Sequence, residues 1–422
     1  MADTRFIIIL SDIHIGTNQP TNWYQANIHG PYIQAVLNYL MAHADQIKEL
    51  ILLGDFVDLW TYLPSEIPAT FTEIIQNPQN KDLFKLIRVL VDKIKKVSFV
   101  NGNHDMAVTA ADLKILSGPI TKKSIHLQPN IYKPLDNGTL ICTHGHNFSM
   151  MCAPYKNSNN VIAPLPVGYY MTRAGAYYAE QQLKKNGKKN VAELPGTGEP
   201  TGVNLTTEDF AKIVAGAAVR SVGYAIMSAA QKVTGLDWET KIMMPGGHAP
   251  RSLDDADEDF HKLFASFEKR LGPDGKPLGV EGAWDALLHP DIENNLSAYA
   301  GQLADANHAK IVVMGHTHVP KENEKLRVLN VKNTAQPLPF IYANSGFNCP
   351  ALPDIHGEGK IPTFVSIGIN VKTNSPESIE HRGVRKGADG KHHVDNYSLL
   401  GPLVLWEQNK FIKAETVKLL GA

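Results

Sequence analysis

The sequence predicts an α/β fold interrupted by a helical insertion. Short, charge-free apolar runs recur in the first third of the chain and again near residue 310, with amphipathic helical patterns between them. Each run ends abruptly in a cluster of Asp, Asn, His and Gly. Strands buried on both faces read as continuous apolar runs. Open α/β sheets gather their ligand-binding residues beyond the carboxyl ends of such strands.

The first run, Phe6-Ile7-Ile8-Ile9-Leu10, ends in Ser11-Asp12-Ile13-His14. Side chains two apart on extended backbone point the same way, so Asp12 and His14 reach one point beyond the strand. A carboxylate and an imidazole converging there suit a borderline divalent metal. A helix is predicted over Tyr32–Ala44, with Ile33, Val36, Leu37 and Leu40 on one face. Glu49–Leu53 is a second strand, followed by Gly54-Asp55-Phe56-Val57-Asp58-Leu59-Trp60. Lys81–Lys96 alternates charges with Leu83, Leu86, Ile87, Leu90, Val91 and Ile94, an amphipathic helix. Val97–Val100 ends in Gly102-Asn103-His104-Asp105, and Thr139–Cys142 in His144-Gly145-His146.

The alternation then stops, and residues 149–289 read as a mainly helical cap inserted over the site. Thr206 is an expected N-cap, with Asp209 three residues on and Phe210, Ile213, Val214, Ala217, Ala218, Val222 and Ile226 at helical spacing. Ser252 is expected to cap a second helix with Leu253, Phe260, Leu263, Phe264, Phe267 and Leu271 as its stripe. Between them Met243–Arg251 is a loop, whose His248 and Arg251 are candidates to reach a substrate phosphate. Tyr169, Tyr170, Tyr177 and Tyr178 either line a pocket or pack the insertion. The α/β pattern resumes at Ile292, Leu296, Tyr299 and Leu303, and the strand Ala309–Met314 ends in Gly315-His316-Thr317-His318. Strands are predicted at Arg327–Val331, Phe340–Ala343 and Thr363–Val371, and a terminal hairpin joins Leu403–Glu407 to Phe411–Val417. His392-His393 is read as an exposed loop pair. The catalytic domain is therefore expected from 1–148 and 290–422.

Bulk properties narrow the class. At 422 residues the chain exceeds one ordinary core, which suits a large domain carrying an insertion. Hydrophobic content of 43% and charged content of 20% describe a globular protein. A net charge of -1 with no basic stripe argues against a general nucleic-acid binder and against a nuclease. Three cysteines, Cys142, Cys152 and Cys349, form neither a disulfide framework nor a zinc-ligand spacing. With no apolar stretch long enough to span a bilayer, the expected location is cytoplasmic.

Together the clusters supply Asp12, His14, Asp55, Asn103, His144, His316 and His318. Two metals about 3.5–4 Å apart need one ligand touching both, and a carboxylate such as Asp55 is the natural bridge. Asp12, His14 and His318 could complete one ion, and Asn103, through its amide oxygen, with His144 and His316 the other.

The ordered set Asp-x-His, Gly-Asp-x-x-Asp, Gly-Asn-His-Asp, His and Gly-His-x-His resembles the calcineurin-like metallophosphoesterases over roughly residues 5–148 and 290–370. The resemblance implies two packed mixed β-sheets flanked by helices, and a hydrolase of phosphate mono- or diesters. It makes the seven residues above the ligands of two divalent ions: manganese first, with iron, zinc, cobalt and nickel as the other options. Hydroxide generated between the ions would attack phosphorus. His104 resembles the histidine that protonates the leaving oxygen, and Asp105 would orient it. Asp58 and His146 are read as supporting or phosphate-facing residues. Gly54–Trp60 lacks the Arg-Gly of the serine/threonine protein phosphatases. It also carries Asp58 where purple acid phosphatases place an iron-binding tyrosine. Leu59-Trp60 is similar to the UDP-2,3-diacylglucosamine pyrophosphohydrolases, which have Arg at the position of His104. The expected substrate is a phosphorylated small molecule or nucleotide-type compound. The alternatives are a pyrophosphohydrolase of a nucleotide-sugar or lipid and a catalytically silent protein-binding scaffold.

Overall fold

The structure is a computed structural model that describes residues 4–149, 151–154, 165–194, 222–259, 292–318, 327–330, 339–347, 362–396, 404–407 and 410–413. Its framework is two face-to-face sheets. In the larger, β1 (Thr4–Leu10), β2 (Ile47–Leu53), β3 (Val97–Val100) and β4 (His126–Leu127) run parallel. In the smaller, β5 (Leu140–Cys142), β6 (Ile311–Met314) and β8 (Pro339–Asn344) are parallel, and β7 (Arg327–Asn330) pairs antiparallel with β8. The larger sheet continues antiparallel from β1 into β9 (Thr363–Asn370) and β10 (Ser375–Lys386). Beyond β10 lie β11 (His392–Asn396) on one half of its edge and β12 (Val404–Glu407) with β13 (Lys410–Lys413) on the other.

Alternation along each strand explains the unbroken apolar runs. Odd residues Ile7, Ile9, Ile51 and Leu53 meet Leu140, Cys142, Ile311, Val313 and Ile341 of the smaller sheet in one buried layer. Even residues Phe6, Ile8, Leu10, Leu50 and Leu52 face the other way, against the helices α1 (Ala26–Ala42) and α3 (Lys81–Lys93). Between these two helices, α2 (Phe71–Gln76) starts at a capping box made by Thr70 and Glu73. The outer face of the smaller sheet, Ile141, Val312, Met314, Phe340 and Tyr342, packs on Leu296, Ala300 and Ala304 of the helix Ile292–Asn307. The result is four layers, helix–sheet–sheet–helix, as the fold class predicted.

The insertion is described in part. After the short α4 (Ala110–Leu113), α5 (Val167–Asn186) ends at Gly187 in the left-handed conformation, and a further helix spans Val222–Thr234. Ser252 and Asp255 exchange reciprocal side-chain-to-backbone bonds at the start of the helical residues 253–259, the expected cap. The Thr206 cap, the stripe from Phe210 to Ala218 and the stripe beyond Leu253 lie outside the described residues. Tyr169 and Tyr170 are fully buried, so they pack the insertion.

Two expectations need correction. The first helix begins at Ala26 and not at Tyr32, because Pro31 is accommodated within it. His392 and His393 lie in β11, where they pair with Lys386 and Arg385 of β10.

Candidate metal centre

Topology brings the polar clusters together. β1, β2 and β3 are adjacent and parallel, so the turns after Leu10, Leu53 and Val100 emerge at one edge. The turns after β5 and β6 emerge at the same end of the facing sheet: Thr143 and Gly315 exchange backbone bonds with Val313 and His144. Across the gap, the His316 N–H donates to Asp12 Oδ1 at 2.8 Å. Within the larger sheet, the backbone N–H groups of Asp12 and His14 donate to the carbonyls of Gly54 and Asp55.

These turns are strained. Asp12, His14, Asp55, His316 and His318 all have φ between 51° and 76°, the left-handed region that non-glycine residues rarely adopt. Each such residue costs on the order of 1 kcal/mol or more, and such residues concentrate at functional sites. The neighbouring glycines are required by close approach. A Cβ on Gly102 would lie 2.2 Å from Asp55 Oδ1, and one on Gly54 would lie 2.5 Å from the His144 ring.

Among the described residues the side chains form three donor groups: two share the Asp55 carboxylate, and His14, Asp58 and His104 make the third. Ligand-capable atoms of Asp12, His14, Asp55 and His318 lie within 4.8 Å of one another, and so do those of Asp55, His144 and His316. Asp55 Oδ1 accepts the His104 N–H at 2.8 Å, which leaves Oδ2 facing His144 Nε2 at 3.2 Å and His14 Nε2 at 3.7 Å. His14 Nε2 and His318 Nε2 face each other at 3.0 Å. His144 is aimed by its Nδ1, 2.8 Å from the Leu53 carbonyl, which frees Nε2 for the centre. Such anchoring of the remote nitrogen fixes the tautomer of a metal-binding imidazole. Ser11 Oγ donates to Asp12 Oδ2 and lies 2.7 Å from Ser345 Oγ.

The donor set fits divalent ions. Buried atoms without a hydrogen-bond partner gather here: Asp55 Oδ2, Asn103 Oδ1, His144 Nε2 and His316 Nδ1. Orphaned buried acceptors are costly, and nitrogen and oxygen lone pairs aimed at a common point are what a borderline cation satisfies. The charged groups of the centre act strongly on one another. Burial pushes the Asp55 carboxyl up, but the imidazoles of His144, His104 and His14 outweigh it and hold the group well below the usual carboxylate range. Burial pulls the His144 imidazole down, but Asp55 and Asp12 raise it to about 9. Burial, reinforced by His144, drives His316 down to about 3, and burial with His14 holds His318 well below its ordinary value. Burial raises Asp12.

His104 stands at the rim of the first group. Its Nδ1 lies 3.0 Å from Asp58 Oδ1. That oxygen also accepts the N–H groups of Trp60 and Thr61 at 2.8 and 3.0 Å, while Asp58 Oδ2 lies 3.3 Å from His14 Nδ1. Burial works against a charged His104, but Asp58 and Asp55 outweigh it and raise its pKa. Burial also pushes Asp58 up, and contact with His104 and His14 more than reverses this. The orienting role expected of Asp105 therefore falls to Asp58. The Asp105 carboxylate instead ties its own turn to the turn after β2, accepting from Gly102 N at 2.6 Å and from Phe56 N at 2.8 Å. Burial and the Asp55 charge push Asp105 up to about 7.

The remaining candidates divide. His146 is buried with its ring 5.5 Å from that of His144. His248 is exposed. Arg251 Nη2 lies 2.7 Å from Asp259 Oδ2 within the insertion. Sequence reasoning missed Trp23, whose ring lies 4.7 Å from His14 and 4.8 Å from His104. It also missed Ser345, although Asn344-Ser345-Gly346 follows a strand just as the other clusters do. Among the described residues, no helix is long and apolar enough to cross a membrane.

Residues 7–192 match the model of the family described as calcineurin-like phosphoesterase. No curated protein matches the chain. Among solved structures, one similar chain is a predicted phosphoesterase from Streptococcus pneumoniae TIGR4. It has 10% identity and a TM-score of 0.27, over 94% of this chain and 99% of that one. Another is GAP50, the anchor in the inner membrane complex of Plasmodium, with 10% identity and a TM-score of 0.32, over 94% of this chain and 89% of that one.

Proposed function

We propose that this chain, which over residues 7–192 belongs to the calcineurin-like phosphoesterase family, hydrolyses phosphate mono- or diesters at a dinuclear centre. The observation that carries the reading is Asp55, whose carboxylate belongs to two donor groups at once. On this reading Asp12, His14 and His318 complete one ion, and Asn103, His144 and His316 the other. Manganese fits the mixed oxygen and nitrogen set, as do iron, zinc, cobalt and nickel. The ions, when bound, supply a water-derived nucleophile and neutralise phosphate oxygens.

The chain's own residues do the rest. Asp58 holds the His104 ring by Nδ1, which leaves Nε2 as the atom that delivers a proton to the departing oxygen. Positioned proton transfer of this kind contributes roughly 10²–10⁴-fold. The turns of residues 12–14, 54–58, 102–105, 144–146 and 315–318 are tied by backbone bonds and keep the donors in place before substrate arrives, so little reorganisation is left to the reaction. Residues 1–148 and 290–422 form the catalytic domain, and 149–289 act as the cap that selects a phosphorylated small molecule or nucleotide-type substrate.

The test is hydrolysis of bis-p-nitrophenyl phosphate and p-nitrophenyl phosphate by metal-stripped protein, with Mn, Zn, Ni and Mg added separately. Metal-dependent release establishes the hydrolase, and the preferred ester separates diester from monoester chemistry. Two bound metals with no release from either ester would point instead to a pyrophosphate substrate. No metal and no release would leave a protein-binding scaffold.

A further inference from the structure

We propose that the insertion builds one wall of the His104 site, with Trp60 and Arg173 as positioning residues for that imidazole. The inference rests on reading His104 as the acid.

The His104 ring is hemmed in by three others. Trp60 lies with ring centroids 4.5 Å apart and planes 30° apart. Trp23 lies at 4.8 Å and 47°, and His14 meets the ring edge-on at 4.6 Å. With its edge held by Asp58, the imidazole has little freedom to turn. Trp60 is tied to the same oxygen, because its backbone N–H donates to Asp58 Oδ1. It is only 3% exposed, so its indole is a wall rather than a platform offered to solvent.

Trp60 also meets the insertion. The Tyr169 ring of α5 meets it edge-on at 5.8 Å, and a Cβ on Gly168 would lie 3.4 Å from its Cζ3. One turn further along α5, Arg173 is fully buried. Its Nη2 donates to the carbonyls of Leu63, Pro64 and Glu66, and its Nη1 to Tyr169 Oη at 3.2 Å. Tyr169 Oη in turn donates to the Met243 carbonyl at 2.6 Å. A buried guanidinium is tolerated only where acceptors surround it. Here those acceptors are the carbonyls of the segment directly after Trp60. One side chain of the insertion therefore fixes both the tyrosine beside Trp60 and the segment leading from it. The path runs from α5 through Arg173 and residues 63–66 to Trp60, and from Trp60 to the ring of His104.

A misplacement of about 1 Å at a reacting group can cost about 100-fold, so a loosened wall should be visible in turnover. The experiment makes Trp60→Ala, Trp60→Phe and Arg173→Lys, each in the wild-type chain and in His104→Ala. It measures kcat, KM and bound manganese with bis-p-nitrophenyl phosphate and diphenyl phosphate. Phenol is the poorer leaving group and depends more on the acid. Trp60→Ala is expected to lower kcat on diphenyl phosphate by about tenfold or more, with less effect on the nitrophenyl ester and no change in KM or metal content. Trp60→Phe should restore most of the rate, and Arg173→Lys should show the same ester dependence. None should slow His104→Ala further. Equal losses on both esters, or equal losses in the His104→Ala background, would overturn the proposal. Slowed His104→Ala beside unchanged Trp60 and Arg173 variants would overturn it alone, whereas unchanged His104→Ala would remove the acid reading beneath it. If Trp60→Ala does not fold, the two conservative variants carry the test. A crystal structure of Arg173→Lys with Trp60 and the 3.0 Å contact of His104 with Asp58 undisturbed would also overturn the proposal.

Discussion

Asp55→Asn separates the two jobs of one side chain. An asparagine keeps an oxygen for the His104 N–H, which Asp55 Oδ1 accepts at 2.8 Å, so the turn itself should survive. It loses the charged Oδ2 that faces His144 and His14. Because two donor groups include Asp55, both ions should lose affinity together. Each ion at about 100 times its Kd adds about 2.7 kcal/mol to stability, or about 5 kcal/mol for two. At about 1 °C per kcal/mol for a chain of this size, saturating manganese should raise Tm by roughly 5 °C in the wild type. That increment should vanish in Asp55→Asn. In His318→Asn, which leaves the Asp55–His144–His316 group intact, about half of it should remain. The assay is a thermal melt with and without manganese, beside metal analysis of the dialysed protein. Two equivalents of metal retained by Asp55→Asn, or half the increment lost, would refute the shared ligand.

Other outcomes follow from the same geometry. His104→Ala should keep both metals while turnover falls roughly 10²–10⁴-fold; unchanged turnover removes His104 from the chemistry. Asp58→Asn loosens both His104 and His14, so manganese affinity should fall by about 10–100-fold, the usual effect of losing an outer-shell partner, which a competition titration with a chelating dye reads directly. Gly102→Ala drives a methyl into the Asp55 carboxylate and should cost roughly 1–3 kcal/mol, seen as a lower denaturation midpoint in urea. A variant as stable as wild type would mean that the turn has slack.

Much of this was legible because burial writes itself into sequence. Ile7, Ile8 and Ile9 carry no polar alternation since the odd residues enter one core and the even residues another. The metal centre was legible because each cluster directly follows such a run. Strand β10 was not. It carries Glu380, His381 and Arg382, all buried, which reads as surface. Arg382 pairs with Glu380 at 3.0 Å and His381 Nε2 bonds the Asn344 carbonyl at 2.8 Å, so the strand satisfies its charges internally. The choice between Asp58 and Asp105 was likewise closed to sequence. Asp105 follows His104 directly whereas Asp58 lies far back in the chain, and only the fold turns Asp58 toward the ring and Asp105 back to Gly102 and Phe56. Nothing local in the sequence marks Arg173, since the three carbonyls from residues 63–66 that surround it are far away along the chain.

The most direct test of the dinuclear centre is a crystal structure of the manganese-loaded protein with anomalous scattering from the metal. The account predicts two peaks about 3.5–4 Å apart, both in contact with Asp55, one beside His14 and His318 and the other beside His144 and His316. A single peak, or a peak seated between His14, Asp58 and His104 with Asp55 bound to no metal, would contradict it.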